Sequence, residues 1–200
     1  NDKWIRPIKN ILCVFKKKEI KFEFAGIKSN SFTFGNYYFD HKKIKCLDFI
    51  TYKKNIKKNY VVLDKKDRKK MILDKIEKFC KSNDLTFEID NLLLERVSSS
   101  VEYPNLYFSS FESDFFKLPN FLLEEIMTNK QNYFSFKNRD SKLSNTFCFV
   151  AGINSKKKSN LINGNQNVLK ARFSDASFFI DEDLKKKSEE RLNLLKDIIF

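Results

Sequence analysis

The chain carries few residues that could do chemistry. His41 is the only histidine in 200 residues, so any Ser-His-Asp or Cys-His arrangement would have to be built on it. Asp40 precedes it, the reverse of a metal-binding His-Asp pair, and His41 reads as a loop residue. Cys13, Cys46, Cys80 and Cys148 are far apart and form no CxxC pair. They read as buried free thiols of a reducing compartment, not as zinc ligands. No GxxxxGK(S/T) phosphate loop and no GxSxG elbow occurs. The acidic runs Glu124-Glu125 and Asp181-Glu182-Asp183 lie in lysine-rich helical stretches. They read as solvated faces, not as a general acid and base. The sequence therefore points to binding, with no reaction centre of its own.

The chain does carry charge. The formal net charge is +13, from 39 basic and 26 acidic residues. Six of the basic residues are arginine (Arg6, Arg68, Arg96, Arg139, Arg172 and Arg191), and the rest are lysine. Abundant Lys, Asn, Ile and Phe are what a coding sequence drifts towards in a genome rich in A and T. The functional explanation is a positive field that attracts a polyanion, most simply nucleic acid. Both can hold. The groups best placed for such contact are Lys28 in a polar loop between Gly26 and Gly35, Lys130 and Gln131 at a helix end, and Lys156, Lys157 and Lys158 in a charged loop. Each has a solvated surface as its alternative role. Tyr37 and Tyr38 read as base-stacking rings or as loop packing.

Arg172 is different. As a helix, Gly164–Leu184 places Leu169, Phe173, Ala176, Phe179 and Ile180 on one face, with Arg172 pointing between them. Two roles follow. One is a partly buried guanidinium paired with Asp175 one turn on, or with a core carboxylate; losing such a pair would cost on the order of 3–5 kcal/mol. The other is a phosphate contact. A stripe docked on a core would hide the residue from a polyanion, so we take the structural ion pair of Arg172 and Asp175 as the expectation.

These residues need elements to position them. "ILCVFKKKEIKFEF" reads as two β runs joined by a lysine turn at Lys16–Lys18, and "YVVLD" as a short buried strand. "LDFITYKKN" reads as a short helix. Asp64 caps a helix whose apolar face is Met71, Ile72, Ile76, Phe79 and Cys80. "LTFEID" alternates as a strand would. "NLLLERVSSSVEYP" is helical until Pro104, and "NLYFSSF" is a strand. Pro119 suits the first turn of "NFLLEEIMTNKQ". "NYFSFKN" and "LSNTFCFVAGIN" form a hairpin. "SKKKSN" reads as a charged loop, and after it the pattern is helical to the end. The fold class is thus α+β: a mixed or antiparallel sheet with flanking helices over residues 1–155, then a helical segment over 156–200. No run of about 18 apolar residues suggests a membrane span. A start without Met and the apolar end "NLLKDIIF" suit a segment of a longer protein.

Two blocks in the C-terminal third carry a resemblance. Pro119, Gln131, Tyr133 and Phe134 fit a Leu-Pro helix ending in a His-Gln-Arg-Tyr-Phe strand start. Gly164, Asn165, Val168, Leu169, Ala171, Arg172, Asp175, Ala176, Phe178, Phe179, Glu182, Asp183 and Leu184 fit Gly-Asn-Glu-Arg-Val-Leu-x-Ala-Arg-x-x-Asp-Ala-x-Phe-Phe-x-x-Glu-Asp-Leu. With "IRPIKNILCVF" and "FEFAGIKSNSFTFG" at the other end, the chain resembles the β subunit of bacterial glycyl-tRNA synthetase in collinear order. Lys130 and Asn132 stand where that family has His and Arg, and Asn167 and Lys170 replace two arginines. The resemblance implies a B3/B4-like α+β module in a cytoplasmic assembly of two α and two β chains that charges tRNA(Gly) with glycine. ATP and Mg²⁺ would sit on the α subunit, with no cofactor here, and the β chain would bring tRNA binding. It leaves open an editing hydrolase of the B3/B4 type, or a purely structural inter-subunit module.

Overall fold

A computed structural model of the chain describes residues 7–39, 42–153 and 158–185. It is α+β, with small mixed and antiparallel sheets and, among the described residues, five α-helices, the last at the C-terminal end of the described region. Two compact units interleave along the sequence. The first gathers residues 1–79, 90–106 and 150–156, the second 80–89, 107–149 and 157–200. The boundary expected between residues 155 and 156 lies outside the described residues, as do Asp40, His41, Lys156, Lys157 and the helical pattern beyond residue 185.

The first unit opens with β1 (Ile11–Leu12), β2 (Val14–Phe15) and β3 (Lys18–Glu19). The lysine turn is where the sequence placed it: Lys16 and Lys17 take φ of 46° and 63°, and Val14 and Phe15 pair with Glu19 and Lys18. Two successive left-handed residues match the twist of a two-residue hairpin. β4 (Glu23–Phe24) pairs antiparallel with β5 (Ile27–Asn30), which runs parallel to β1. β6 (Phe32–Phe34) pairs antiparallel with β7 (Lys43–Lys45). The span between Gly26 and Gly35, expected as a loop, is therefore largely strand. Asn30 Nδ2 donates to Asn10 Oδ1 at 2.6 Å, and Asn10 Nδ2 to the Phe32 carbonyl at 2.9 Å. These polar side chains hold the strands, which a polarity count cannot see.

Helix α1 (Phe49–Lys58) starts at Asp48, whose carboxylate accepts the Thr51 N–H at 2.8 Å. That bond holds the Asp48 carboxyl below its usual range. Tyr60–Asp64 is not a strand. Tyr60 takes φ 61°, and Val62 makes one backbone hydrogen bond, to the Glu102 carbonyl at 2.8 Å. Helix α2 (Lys65–Asn83) follows, with Asp64 accepting the Lys66 N–H at 2.8 Å. Ile72 and Ile76 are fully buried. Helix α3 (Asn91–Ser100) begins at Asp90, whose carboxylate accepts from Leu92 and Leu93. Arg68 ties this region together. Its Nε donates to the Ser98 carbonyl and its Nη1 to the Val62 and Leu63 carbonyls, satisfying orphan acceptors at a helix end and in a loop.

The second unit is built on the sheet of β8 (Asn105–Ser110), β10 (Leu143–Ala151) and β9 (Phe134–Lys137), in that order. The hairpin β9–β10 turns at Asn138, whose side-chain oxygen accepts from Asp140 and Lys142. "LTFEID" contributes one bridge, Thr86 to Lys137, in place of a full strand. Pro119 stands just before α4 (Asn120–Glu125), at the cap and not inside the first turn, and its carbonyl accepts from Leu122 and Leu123. α4 widens into a π-helical turn, Ile126–Lys130. Last comes α5 (Lys158–Leu184), which starts inside the stretch expected as a charged loop.

Every buried aromatic ring among the described residues lies in this second unit. Tyr133 stacks on Phe147 with centroids 5.2 Å apart, and Tyr107 on Phe149 at 5.4 Å. Phe173 of α5 is fully buried, edge-on to Phe111 at 5.1 Å and tilted against Phe115 at 5.3 Å. The first unit instead buries aliphatic side chains such as Ile44, Ile56, Ile72, Ile76, Leu93 and Val97.

Two outcomes are expected. Phe173→Ala empties a ring-sized site and lowers unfolding stability by about 3–5 kcal/mol, whereas Phe179→Ala, at a ring 64% exposed, changes it by less than about 0.5 kcal/mol. Equal losses in urea unfolding would refute the docking of α5 through Phe173. Glu95 receives hydrogen bonds from Lys65 and from Lys69, which hold its carboxyl at about 2, below the usual 4.5. A depressed folded-state value means a contribution present above the unfolded value and lost as pH falls towards 2. The stability difference between wild type and Glu95→Gln should shrink between pH 5 and pH 2 in a denaturant series.

Candidate functional site

The cationic groups singled out above stand on separate elements. Lys28 is in β5, exposed, opposite Glu23 in register. It lines an open pocket of about 500 Å³ with Glu19, Lys21, Phe22, Glu23 and Ser29. Two carboxylates beside two ammonium groups make that pocket close to neutral. In the second unit Lys130 ends the π-helical turn and is exposed, while Gln131 is half-buried. The Gln131 N–H donates to the Ile126 carbonyl at 3.1 Å, and Asn132 takes φ 56° to turn the chain into the β9 region. Lys158, exposed, is the first residue of α5.

The π-helical turn packs against α5, and here the two motif blocks meet. The Tyr133 hydroxyl donates to Asn165 Oδ1 at 2.6 Å across 32 residues of sequence, while Asn165 Nδ2 donates to the Leu161 carbonyl at 2.8 Å. Burial pushes the Tyr133 phenol up to about 12, so it remains a neutral hydroxyl donor. The next residue, Gln166, donates from Nε2 to the Ser110 carbonyl at 2.9 Å, and one turn on Lys170 Nζ lies 2.6 Å from Glu112 Oε1. Leu169 and Phe173 fill the apolar side. Asn165, Gln166, Leu169, Lys170 and Phe173 therefore act as a seat for α5. Spacing alone did not show that Asn165 and Tyr133 are partners, because their separation exceeds any helical or strand period.

Arg172 is not under cover. Its side chain is 58% exposed, and Nη1 lies 3.7 Å from Oδ2 of an equally exposed Asp175. The buried stripe runs through Leu169 and Phe173, and at 100° per residue Arg172 sits about 80° from its centre. Phe179, counted with the stripe in the sequence, shares this open flank. A solvated pair at this distance is worth about 0–1 kcal/mol, well below the cost of breaking a buried one.

In the first unit the β6–β7 connection holds Tyr37 and Tyr38 in solvent, 72% and 73% exposed, with rings edge-to-face at 5.6 Å. Asn36 beside them is buried. It donates from Nδ2 to Glu102 Oε2 at 3.3 Å, and its side-chain oxygen accepts the Tyr38 N–H at 3.0 Å. Phe39 stacks on Tyr60, with centroids 4.1 Å apart. Gly35, Asn36, Tyr37, Tyr38, Ser100–Glu102 and Ala151–Ile153 line an open pocket of about 620 Å³. Asn36 and Glu102 carry no signal in the sequence that would single them out. Among the described residues, Cys46, Cys80 and Cys148 are buried thiols outside any disulfide and Cys13 is half-buried. No three His, Cys, Asp or Glu side chains among them come together as a metal-ligand set. No helix among them is long and apolar enough to cross a membrane.

Comparison with known proteins gives the family of the chain. The family model described as glycyl-tRNA synthetase beta subunit matches residues 1–200. The glycine–tRNA ligase beta subunit of Dictyoglomus turgidum is 35% identical over 195 residues, covering 98% of this chain and 28% of that protein. Those of Rickettsia bellii and Rickettsia felis are 33% and 32% identical over 200 residues, covering 100% and 99% of this chain and 30% of each relative. The chain thus spans less than a third of the length of the relatives it matches.

Because the Arg172–Asp175 pair is solvated, Arg172→Ala should change unfolding stability by less than about 1 kcal/mol. A loss near that of a buried pair, about 3–5 kcal/mol, would show that the guanidinium is held by more than Asp175.

Proposed function

Because this chain belongs to the glycyl-tRNA synthetase beta subunit family, we propose that it is a tRNA-binding and scaffolding part of a glycine–tRNA ligase. In the reaction, glycine and ATP give glycyl adenylate and pyrophosphate, and the glycyl group then passes to the 3′ end of tRNA(Gly) with release of AMP. We place both steps, with ATP and Mg²⁺, on the α subunit, in a cytoplasmic assembly of two α and two β chains. No cofactor is assigned to this segment.

The observation that carries the reading is a collinear family match over the whole chain, joined to a net charge of +13. An RNA partner releases condensed counterions when lysines neutralise its phosphates. Lys28, Lys130 and Lys158 are exposed and can do this; we add Lys156, Lys157 and Gln131 as contacts to be tested. The exposure of Arg172 moves it into the same group, since a solvated guanidinium at 3.7 Å from its carboxylate can exchange that partner for a phosphate fork.

In the complete α–β enzyme, tRNA(Gly) binding should weaken steeply between about 50 and 200 mM salt. Each of Lys28→Ala, Lys130→Ala and Lys158→Ala that removes a phosphate contact should lower the slope of log K against log salt by about 1. The α subunit alone should charge tRNA(Gly) only at background. Full-rate charging by α alone, or no tRNA binding by the complete enzyme, would overturn the reading.

A further inference from the structure

We infer that the pocket behind Tyr37 and Tyr38 receives an unpaired nucleobase bearing an exocyclic amino group. This rests on the tRNA-binding reading and names the part of the RNA that the first unit takes. Three observations converge on it.

The two rings are exposed and held. Tyr37 and Tyr38 stand 72% and 73% in solvent, yet the turn that carries them is anchored on both sides. On one side Asn36 is 4% exposed, and its N–H donates to the Asn59 carbonyl at 3.0 Å. Its side chain holds Glu102 and the Tyr38 N–H. On the other side the Phe39 ring stacks on Tyr60 at 4.1 Å and meets Tyr103 edge-on at 6.2 Å. A pre-ordered aromatic face in water loses little entropy when a flat ring is laid on it.

The lining charge has the wrong sign for a phosphate and the right one for an amino edge. In a chain with net charge +13, no lysine or arginine is among the described residues lining this pocket, and the one charged side chain among them is Glu102. A carboxylate repels phosphate and accepts hydrogen bonds from the amino groups of adenine, cytosine or guanine. Uracil offers no such group.

The size is adequate. A pocket of about 620 Å³ falls within the range of sites that take drug-sized ligands, so one base fits with its sugar left at the mouth. The phosphates then stay outside, where the carboxylate does not oppose them.

The test uses the complete α–β enzyme and measures affinity for tRNA(Gly) and for short single-stranded oligo(A) and oligo(U). The double variant Tyr37→Ala/Tyr38→Ala should bind tRNA(Gly) at least about tenfold more weakly, at 50 and at 200 mM salt alike, since stacking is not screened. Tyr37→Phe/Tyr38→Phe keeps the rings and should stay within twofold of wild type. Glu102→Gln keeps an acceptor for Asn36 but can also donate to uracil, so it should narrow the preference for oligo(A) over oligo(U). Alanine variants within twofold of wild type, or an equal loss in the phenylalanine pair, would overturn the stacking pocket and leave tRNA binding standing. Absence of tRNA binding by the wild-type enzyme would end both.

Discussion

Where the aromatic rings can be hidden governs how this chain arranges itself. It has 22 phenylalanines, and rings pack best edge-on or offset against other rings. The second unit meets that demand. Tyr133, Phe147 and Phe149 lie together over the β9–β10 hairpin, and Phe111, Phe115 and Phe173 lock the long C-terminal helix in place. Once Phe173 and Leu169 are committed inward, the rest of α5 follows by helical geometry. Asn165 reaches Tyr133, Gln166 reaches Ser110, and Arg172 is left on the solvent flank. The motif that carries the family signature is thus mainly a seat for a helix, with its exposed remainder free for contact.

The lysines are the complement of this arrangement. Their ammonium groups are too strongly hydrated to be buried cheaply, so they line surfaces and pair there, as Lys65 and Lys69 do around Glu95. On the proposed reading, such a surface would meet RNA through many weak phosphate contacts, each replaceable. Base selectivity would then come from places where the lysine coat is interrupted. The turn at Tyr37 and Tyr38 is such a place, with rings held out by a buried asparagine and a carboxylate in the pocket behind them.

Local signals in the sequence were read well where the physics is local. The lysine hairpin, the Asp64 helix start and the β9–β10 hairpin each depend on residues within a few positions of one another. Readings failed where a distant partner decided. Tyr60–Asp64 looked like a strand, but its one backbone bond to a distant residue joins Val62 to Glu102; "LTFEID" forms a single bridge, to Lys137; and the Gly26–Gly35 span became strand because Asn10 and its neighbours hold it.

The sequence by itself determined the class, the charge, most helices and the family, because composition, period and an ordered string of residue types are properties of the chain. Only the tertiary structure decided that Arg172 faces water, that Tyr133 and Asn165 touch, and that Asn36 and Glu102 stand behind two exposed tyrosines. The reason is geometric. Burial and long-range hydrogen bonds depend on which face of an element meets its neighbour. A helix wheel leaves that rotation uncertain by one residue's width, enough to move an arginine from core edge to surface.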